Sequence, residues 1–250
     1  MKPNYLLIII FPLLLLSIGK AQNAADILRK SEDQRRGIES SVAEMSMTIV
    51  RPNWTRSMSM KTWSKGDDYA LILVTAPARD KGSATLKREK EVWNWLPKIE
   101  RTVKLPPSMM SQSWMGSDLT NDDLVREVSL VEDYEHQILG TETIKDRECW
   151  KIELIPHEDV AIVWAKIIMF VDQEDYLQMK TEYYDEDGTL VNVFKATQIG
   201  QLGGRTLATR LELIPMEEEG HKTVLEYKSI DFNQPLKESF FSVQNMKRIR

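Results

Sequence analysis

Cysteine is almost missing from this chain: Cys149 is the only one in 250 residues, so no internal disulfide can form. Its neighbours Trp150, Ile152 and Leu154 give it the setting of an ordinary strand position rather than of a catalytic thiol. Histidine is also scarce. His136, His157 and His221 lie far apart in sequence, and no two share the helix-face spacing that binds zinc, so no metal site is expected. A Gly-x-Ser-x-Gly turn, which would expose a hydrolase nucleophile, is absent as well. The segment Gly200-Gln201-Leu202-Gly203-Gly204 lacks the Gly-Lys-Ser/Thr ending of a phosphate loop and reads as a strand connection. Asp185-Glu186-Asp187-Gly188 would align Tyr183 with the first carboxylate of a calcium loop, and therefore reads as a hairpin turn. No repeat of fixed length and no Pro/Gly/Ser-rich linker divides the sequence.

These absences remove most catalytic readings. The acidic pairs Asp67-Asp68, Asp122-Asp123 and Glu158-Asp159 fall at turns or helix starts, where solvation and capping account for them. No catalytic residue and no cofactor is assigned. An acidic balance, 33 basic against 38 acidic side chains, argues against nucleic acid as a partner.

Long hydrophobic runs are confined to the beginning. Lys2, an apolar stretch of 14 residues from Tyr5 to Ile18, and the small-x-small sequence Gly19-Lys20-Ala21 read as a cleavable secretory signal over residues 1–21. The stretch contains Pro12 and falls short of the roughly 20 residues that a spanning helix needs. Residues 22–250 are then expected to form a single exported domain. No cysteine stands near the cleavage site to carry a lipid anchor.

After the signal, Asn23 can cap an amphipathic helix that turns Ala24, Ile27 and Leu28 to one side. The period then changes to two. Ala43, Met45, Met47 and Ile49 alternate with polar residues, and so do Met58 and Met60. Further strand patterns recur to Ile230, separated by turn residues. Asp118 to Glu127 has the pattern of a short helix after a loop. Many strands and few helices predict a mainly β fold: an incomplete antiparallel β-barrel, or strongly curved sheet, with an N-terminal helix and a short lid helix.

What the sequence has in excess is methionine and tryptophan in one stretch. From Met45 to Met115 stand seven methionines and five tryptophans. Methionine is unbranched and polarisable, so it can repack around different ligands, and tryptophan supplies broad apolar walls. Ordinary core packing explains the same alternation.

Two compact motifs lie in this stretch: Trp93-Asn94-Trp95-Leu96-Pro97, and Ser113-Trp114-Met115-Gly116-Ser117-Asp118-Leu119 followed by Asp122-Asp123-Leu124. With the signal, the early helix and the Met-rich strands, the chain resembles the outer-membrane lipoprotein-sorting, LolA-like family, in its branch of exported proteins. The resemblance implies a LolA/LolB-like half-barrel whose helices cover an apolar cavity for acyl chains. The protein would then be a non-enzymatic periplasmic carrier. It would accept an acylated lipoprotein or lipid from an inner-membrane permease or exporter and pass it towards the outer membrane, with transient contact at a membrane surface. On this reading Met45, Met47, Met58, Met60, Trp63, Trp93, Trp95 and Met115 are wall candidates, and Gly116, Ser117 and Asp118 turn the chain into the lid. Trp63 has the opposite strand parity to Met58 and Met60 unless a bulge intervenes. A non-carrier module that senses a lipid or protein of the envelope or binds a glycan, and a hydrolase, are the alternatives.

Overall fold

Alternation of small polar and apolar residues from Ser40 onward gives the backbone a buried and a solvated face, and the chain answers with strands paired almost wholly between neighbours in sequence. A computed structural model describes residues 23–36, 39–66, 68–121, 123, 129–158 and 164–249. The expected signal and half of the expected lid helix, residues 122 and 124–127, lie outside them. Helix α1 (Ala24–Arg36) comes first, with the Asn23 side chain accepting from the Ala25 N–H at 3.2 Å. Ala24, Ile27, Leu28 and Ser31 are its buried positions, one stripe at helical spacing.

Thirteen strands follow in one antiparallel sheet. The first meander is β1 (Ser40–Arg51), β2 (Trp54–Lys65), β3 (Tyr69–Ala76), β4 (Ala84–Arg88), β5 (Glu91–Leu96) and β6 (Arg101–Lys104). The second is β7 (Tyr134–Ile144), β8 (Arg147–Pro156), β9 (Lys166–Asp172), β10 (Gln178–Tyr184), β11 (Leu190–Leu202), β12 (Arg205–Pro215) and β13 (Lys222–Phe232). Pairing of β1 with β13 joins the meanders, so β6 and β7 are the edges and the barrel is open. The connection from β6 must therefore travel from one edge to the other. Helix α2 (Val243–Arg248) ends the fold, capped by the Ser242 side chain, which accepts from Asn245 N–H.

Directly opposed residues of a sheet share a face, so the register identifies what lies on each side. Ile138, Ile152, Met169, Thr181, Phe194, Leu213, Thr223 and Ile49 oppose one another in turn from β7 to β1. Helix α1 packs at one end of this line, against Ile152, Leu154, Ile167, Met169 and Val171. The β6–β7 connection packs at the other end, placing Trp114 against Met45, Met47, Ile49, Met58 and Met60. Both coverings sit on one face. The opposite face of β2 to β5 carries Trp63, Leu71, Leu73, Ala84 and Leu86, closed over by Phe241 and Met246 of the C-terminal segment.

The turns follow their sequences. Leu202 pairs with Arg205 across Gly203 and Gly204, whose φ angles of +58° and +77° suit the tight hairpin that left-handed glycines permit. Asp185 closes a second hairpin, its side chain accepting from Thr189 N–H at 2.8 Å.

Candidate functional site

Side chains at Met45 and Met60 are directly opposed across β1 and β2, as are those at Met47 and Met58. Strand alternation thus brings all four methionines together, each buried, with Val74 of β3 beside them. Trp114 is 3% exposed and covers this group. Met115, Leu119 and Ile72 pack against its margin.

The segment carrying Trp114 is a closed loop. Ser113 and Thr120 form an antiparallel bridge, the Trp114 N–H donates to Leu119 O at 2.7 Å, and the Ser117 hydroxyl donates to Trp114 O at 2.7 Å. Met115 and Gly116 take φ angles of +52° and +79° to make the reversal. Glycine adopts that conformation freely and methionine does not, so Gly116 suits the bend while Met115 is held in it by the contacts of the loop.

Three groups of the sheet hold the loop down. The Arg51 guanidinium grips Asp118 through both nitrogens, at 2.9 Å and 3.1 Å, and Thr223 donates its hydroxyl to the same carboxylate at 2.6 Å. Asp118 N–H in turn donates to Thr223 Oγ1 at 2.9 Å. Arg56 reaches Met115 O at 3.4 Å while paired with Asp80 at 2.7 Å. On the inner side, the Trp114 indole N–H donates to Thr85 Oγ1 at 3.2 Å, and Thr85 donates to Asn94 Oδ1 at 2.7 Å. The two sequence motifs therefore touch: Trp114 of one is tied through Thr85 to Asn94 of the other.

Beside Trp114 is a cavity of about 210 Å³, bounded by Ile72, Val74, Thr85, Asn94, Leu105, Met109, Asn121 and Trp95 among others. Pockets that enclose drug-sized ligands span roughly 300–1,000 Å³. As it stands, this cavity takes only a fragment of a lipid.

The wall candidates divide. Met45, Met47, Met58, Met60 and Met115 meet under and around Trp114. Trp63, Trp93 and Trp95 belong to the cluster on the other face with Phe240 and Phe241, although Trp95 also borders the cavity. The bulge at Ser59/Met60 affects pairing with β3 alone; the β1–β2 register runs unbroken and opposes Trp63 to Val42, which fixes its face. Gly116, Ser117 and Asp118 make the bend and the anchor. Arg51, Thr85, Thr223 and Trp114 also belong to the site, and no sequence pattern singles them out individually. Arg51 ends a strand before Pro52, a position open to a cap or ion pair. Nothing in the sequence pairs it with Asp118.

Little here suits covalent chemistry. Asp118, Glu218 and His221 bring ligand atoms to within 4.8 Å of one another, but Asp118 already serves Arg51 and Thr223, and His221 pairs with Glu218. The guanidinium beside Asp118 would repel a cation. Cys149 is fully buried, and burial pushes its thiol up to about 11, so the nucleophilic thiolate is scarce at neutral pH. A disulfide-exchange reagent at about pH 8 should leave the folded protein unlabelled and modify one thiol on unfolding. Rapid labelling of the folded chain would contradict this burial.

A family model described as "uncharacterized protein" matches residues 66–248. Among proteins of curated function, none matches the sequence. Three solved structures share the fold. A DUF1329 family protein from Desulfovibrio piger is 22% identical, with a TM-score of 0.80 over 89% of this chain and 97% of its own. A protein domain from Vibrio parahaemolyticus described as outer membrane lipoprotein-sorting is 22% identical, with a TM-score of 0.78 over 90% and 98%. A LolA superfamily protein from Nitrosomonas europaea is 23% identical, with a TM-score of 0.74 over 90% and 99%. The open, curved antiparallel sheet is the LolA-like fold shared with these structures, and the chain belongs to the family of uncharacterized proteins whose model matches it.

Proposed function

We propose that this protein is a non-enzymatic periplasmic carrier that encloses the acyl chain of a lipoprotein or another lipid between the methionine cluster and the Trp114 loop. The observation that supports it most is the contrast between the two sides of that contact. Four buried methionines form an adaptable apolar floor, while their cover is a loop fixed by a few polar contacts to Arg51, Thr223 and Thr85. Withdrawal of the indole would join its volume to the neighbouring cavity. Each methylene moved from water into that space contributes about 0.8 kcal/mol, so an acyl chain of ordinary length can offset the lost loop contacts. Displacement also supplies release, because the returning loop competes with the cargo for the same floor.

Cargo would be received from an inner-membrane permease or exporter. The domain over residues 22–250 would act after removal of the signal. The described residues include no helix long and apolar enough to cross a membrane. The lipoprotein-sorting description of the Vibrio relative favours acylated cargo over a glycan.

Native mass spectrometry of protein purified from a bacterial envelope, followed by organic extraction, tests the reading. An acylated molecule should remain bound at about one per chain. Protein that is free of lipid and fails to take up a fluorescent fatty acid would overturn it.

A further inference from the structure

Six large apolar side chains are well exposed among the described residues, and five of them, Trp54, Leu96, Ile99, Ile155 and Met216, lie at the same end of the sheet. That end is where β1, β3, β5, β8 and β12 finish. Such clustering at hairpin tips is unlike the scattered exposure that needs no explanation.

The tips of the first meander touch one another. Arg56, beside Trp54, is paired with Asp80 of the β3–β4 turn. Gly82 of that turn lies so close to the β5–β6 turn that a Cβ there would stand 3.5 Å from the Pro97 side chain. Trp54, Leu96 and Ile99, at 50%, 41% and 64% exposure, therefore belong to one continuous rim. Exposed Arg79, Lys81, Lys98 and Arg101 surround it, with Glu100 as the exposed carboxylate among them. The neighbouring tips of the second meander have the opposite sign: Asp185-Glu186-Asp187 and Glu217-Glu218-Glu219. The charge of this end is thus divided, although the chain as a whole is acidic.

We infer that the rim formed by Trp54, Leu96 and Ile99 with Arg79, Lys81, Lys98 and Arg101 docks on the surface of an anionic lipid bilayer. The chemistry of the rim identifies the partner. An exposed tryptophan at a tip suits the headgroup region, where its ring is buried and its N–H stays wet. Short apolar tips enter only the outermost part of a bilayer, and the four cations match anionic headgroups. A Cβ at Gly220 would stand 3.3 Å from the Pro52 side chain, so the acidic β12–β13 tip adjoins the β1–β2 turn, and the molecule would approach tilted with the basic β3–β4 and β5–β6 turns leading. Arg51 stands three residues before the rim's own Trp54 and anchors Asp118, so docking also brings the covered methionine floor close to lipid. The inference stands without the carrier reading, since surface binding needs no lipid in the cavity.

Co-sedimentation of the exported chain with vesicles tests it. Vesicles of phosphatidylcholine with about one third phosphatidylglycerol should retain the protein at low salt, and phosphatidylcholine alone should not. Arg79→Gln/Lys81→Gln/Lys98→Gln should weaken retention roughly 100-fold, on the basis of about fivefold per basic side chain near the surface. Trp54→Ser/Ile99→Ser should weaken it with the charge set intact, while both variants keep the wild-type circular dichroism and melting temperature. High salt should release the protein. The inference fails if anionic vesicles do not retain the chain, if neutral vesicles retain it equally, or if the charge variant binds as wild type. It also fails if the rim substitutions instead abolish a concentration-dependent dimer, which would make the rim a contact between copies.

Discussion

Trp114→Ala should lower the stability of the protein by about 3 kcal/mol and leave the strand content unchanged. Removal of a buried tryptophan typically loses about 3–5 kcal/mol, and the lower end applies here because a loop can collapse towards the gap more readily than a strand. The side chain is 3% exposed and supplies the cover of the Met45, Met47, Met58 and Met60 group. Its loss would also leave Thr85 without its indole donor. Chemical denaturation measures the loss, and binding of a hydrophobic dye reports the floor: the variant should bind more dye than wild type. A loss below about 1 kcal/mol, the size expected of an ordinary surface change, would show that the loop is not packed as described.

The second large effect is expected at the anchor. Asp118 and Arg51 keep only 7% and 12% of their side-chain surface exposed, and removal of one member of a buried pair commonly loses about 3–5 kcal/mol. Here the loop can lift and let water reach Arg51, which limits the loss to about 2 kcal/mol. Asp118→Ala should therefore raise the opening of the loop roughly 30-fold, read as faster hydrogen exchange of the Trp114 and Ser117 amides, whose partners are Leu119 O and Trp114 O. Adding Arg51→Ala should lose little more, since the two side chains act as one contact. Additive losses from the two substitutions would show that the pair is not coupled. Thr223→Val separates the ion pair from the hydroxyl contact, and its effect should be smaller, about 1 kcal/mol.

The sequence made the strands legible because alternation in this chain is strong: Met45, Met47 and Ile49 on one strand and Met58 and Met60 on the next each imply one side of a sheet, and the register puts them on the same face. The same rule exposes Trp63, whose parity places it on the other face. Trp93 and Trp95 could not be placed by parity alone. Their face depends on the pairing of β4 with β5, where Trp93 opposes Leu86 and Trp95 opposes Ala84. Short-range spacing carries no such information across separate strands. Contacts between distant segments were harder still. Arg51 and Asp118 are 67 residues apart, and Asp118 and Thr223 are 105 apart. Helix α2 is not among the elements expected from the sequence, although Ser242 offers a capping serine at its start.

The division of methionines between faces offers a way to see the cargo directly. Met45, Met47, Met58, Met60 and Met115 lie at the proposed lipid floor, whereas Met246 is buried under the C-terminal segment on the opposite face and Met179 belongs to a separate cluster. With the methionine methyl groups labelled with carbon-13, a titration with a fatty-acyl ligand followed by methyl NMR tests the central claim most directly. The account predicts saturable shifts of Met45, Met47, Met58, Met60 and Met115, with Met179 and Met246 unmoved. Saturable binding that shifts Met246 and leaves the five in place would put the lipid on the other face and contradict it.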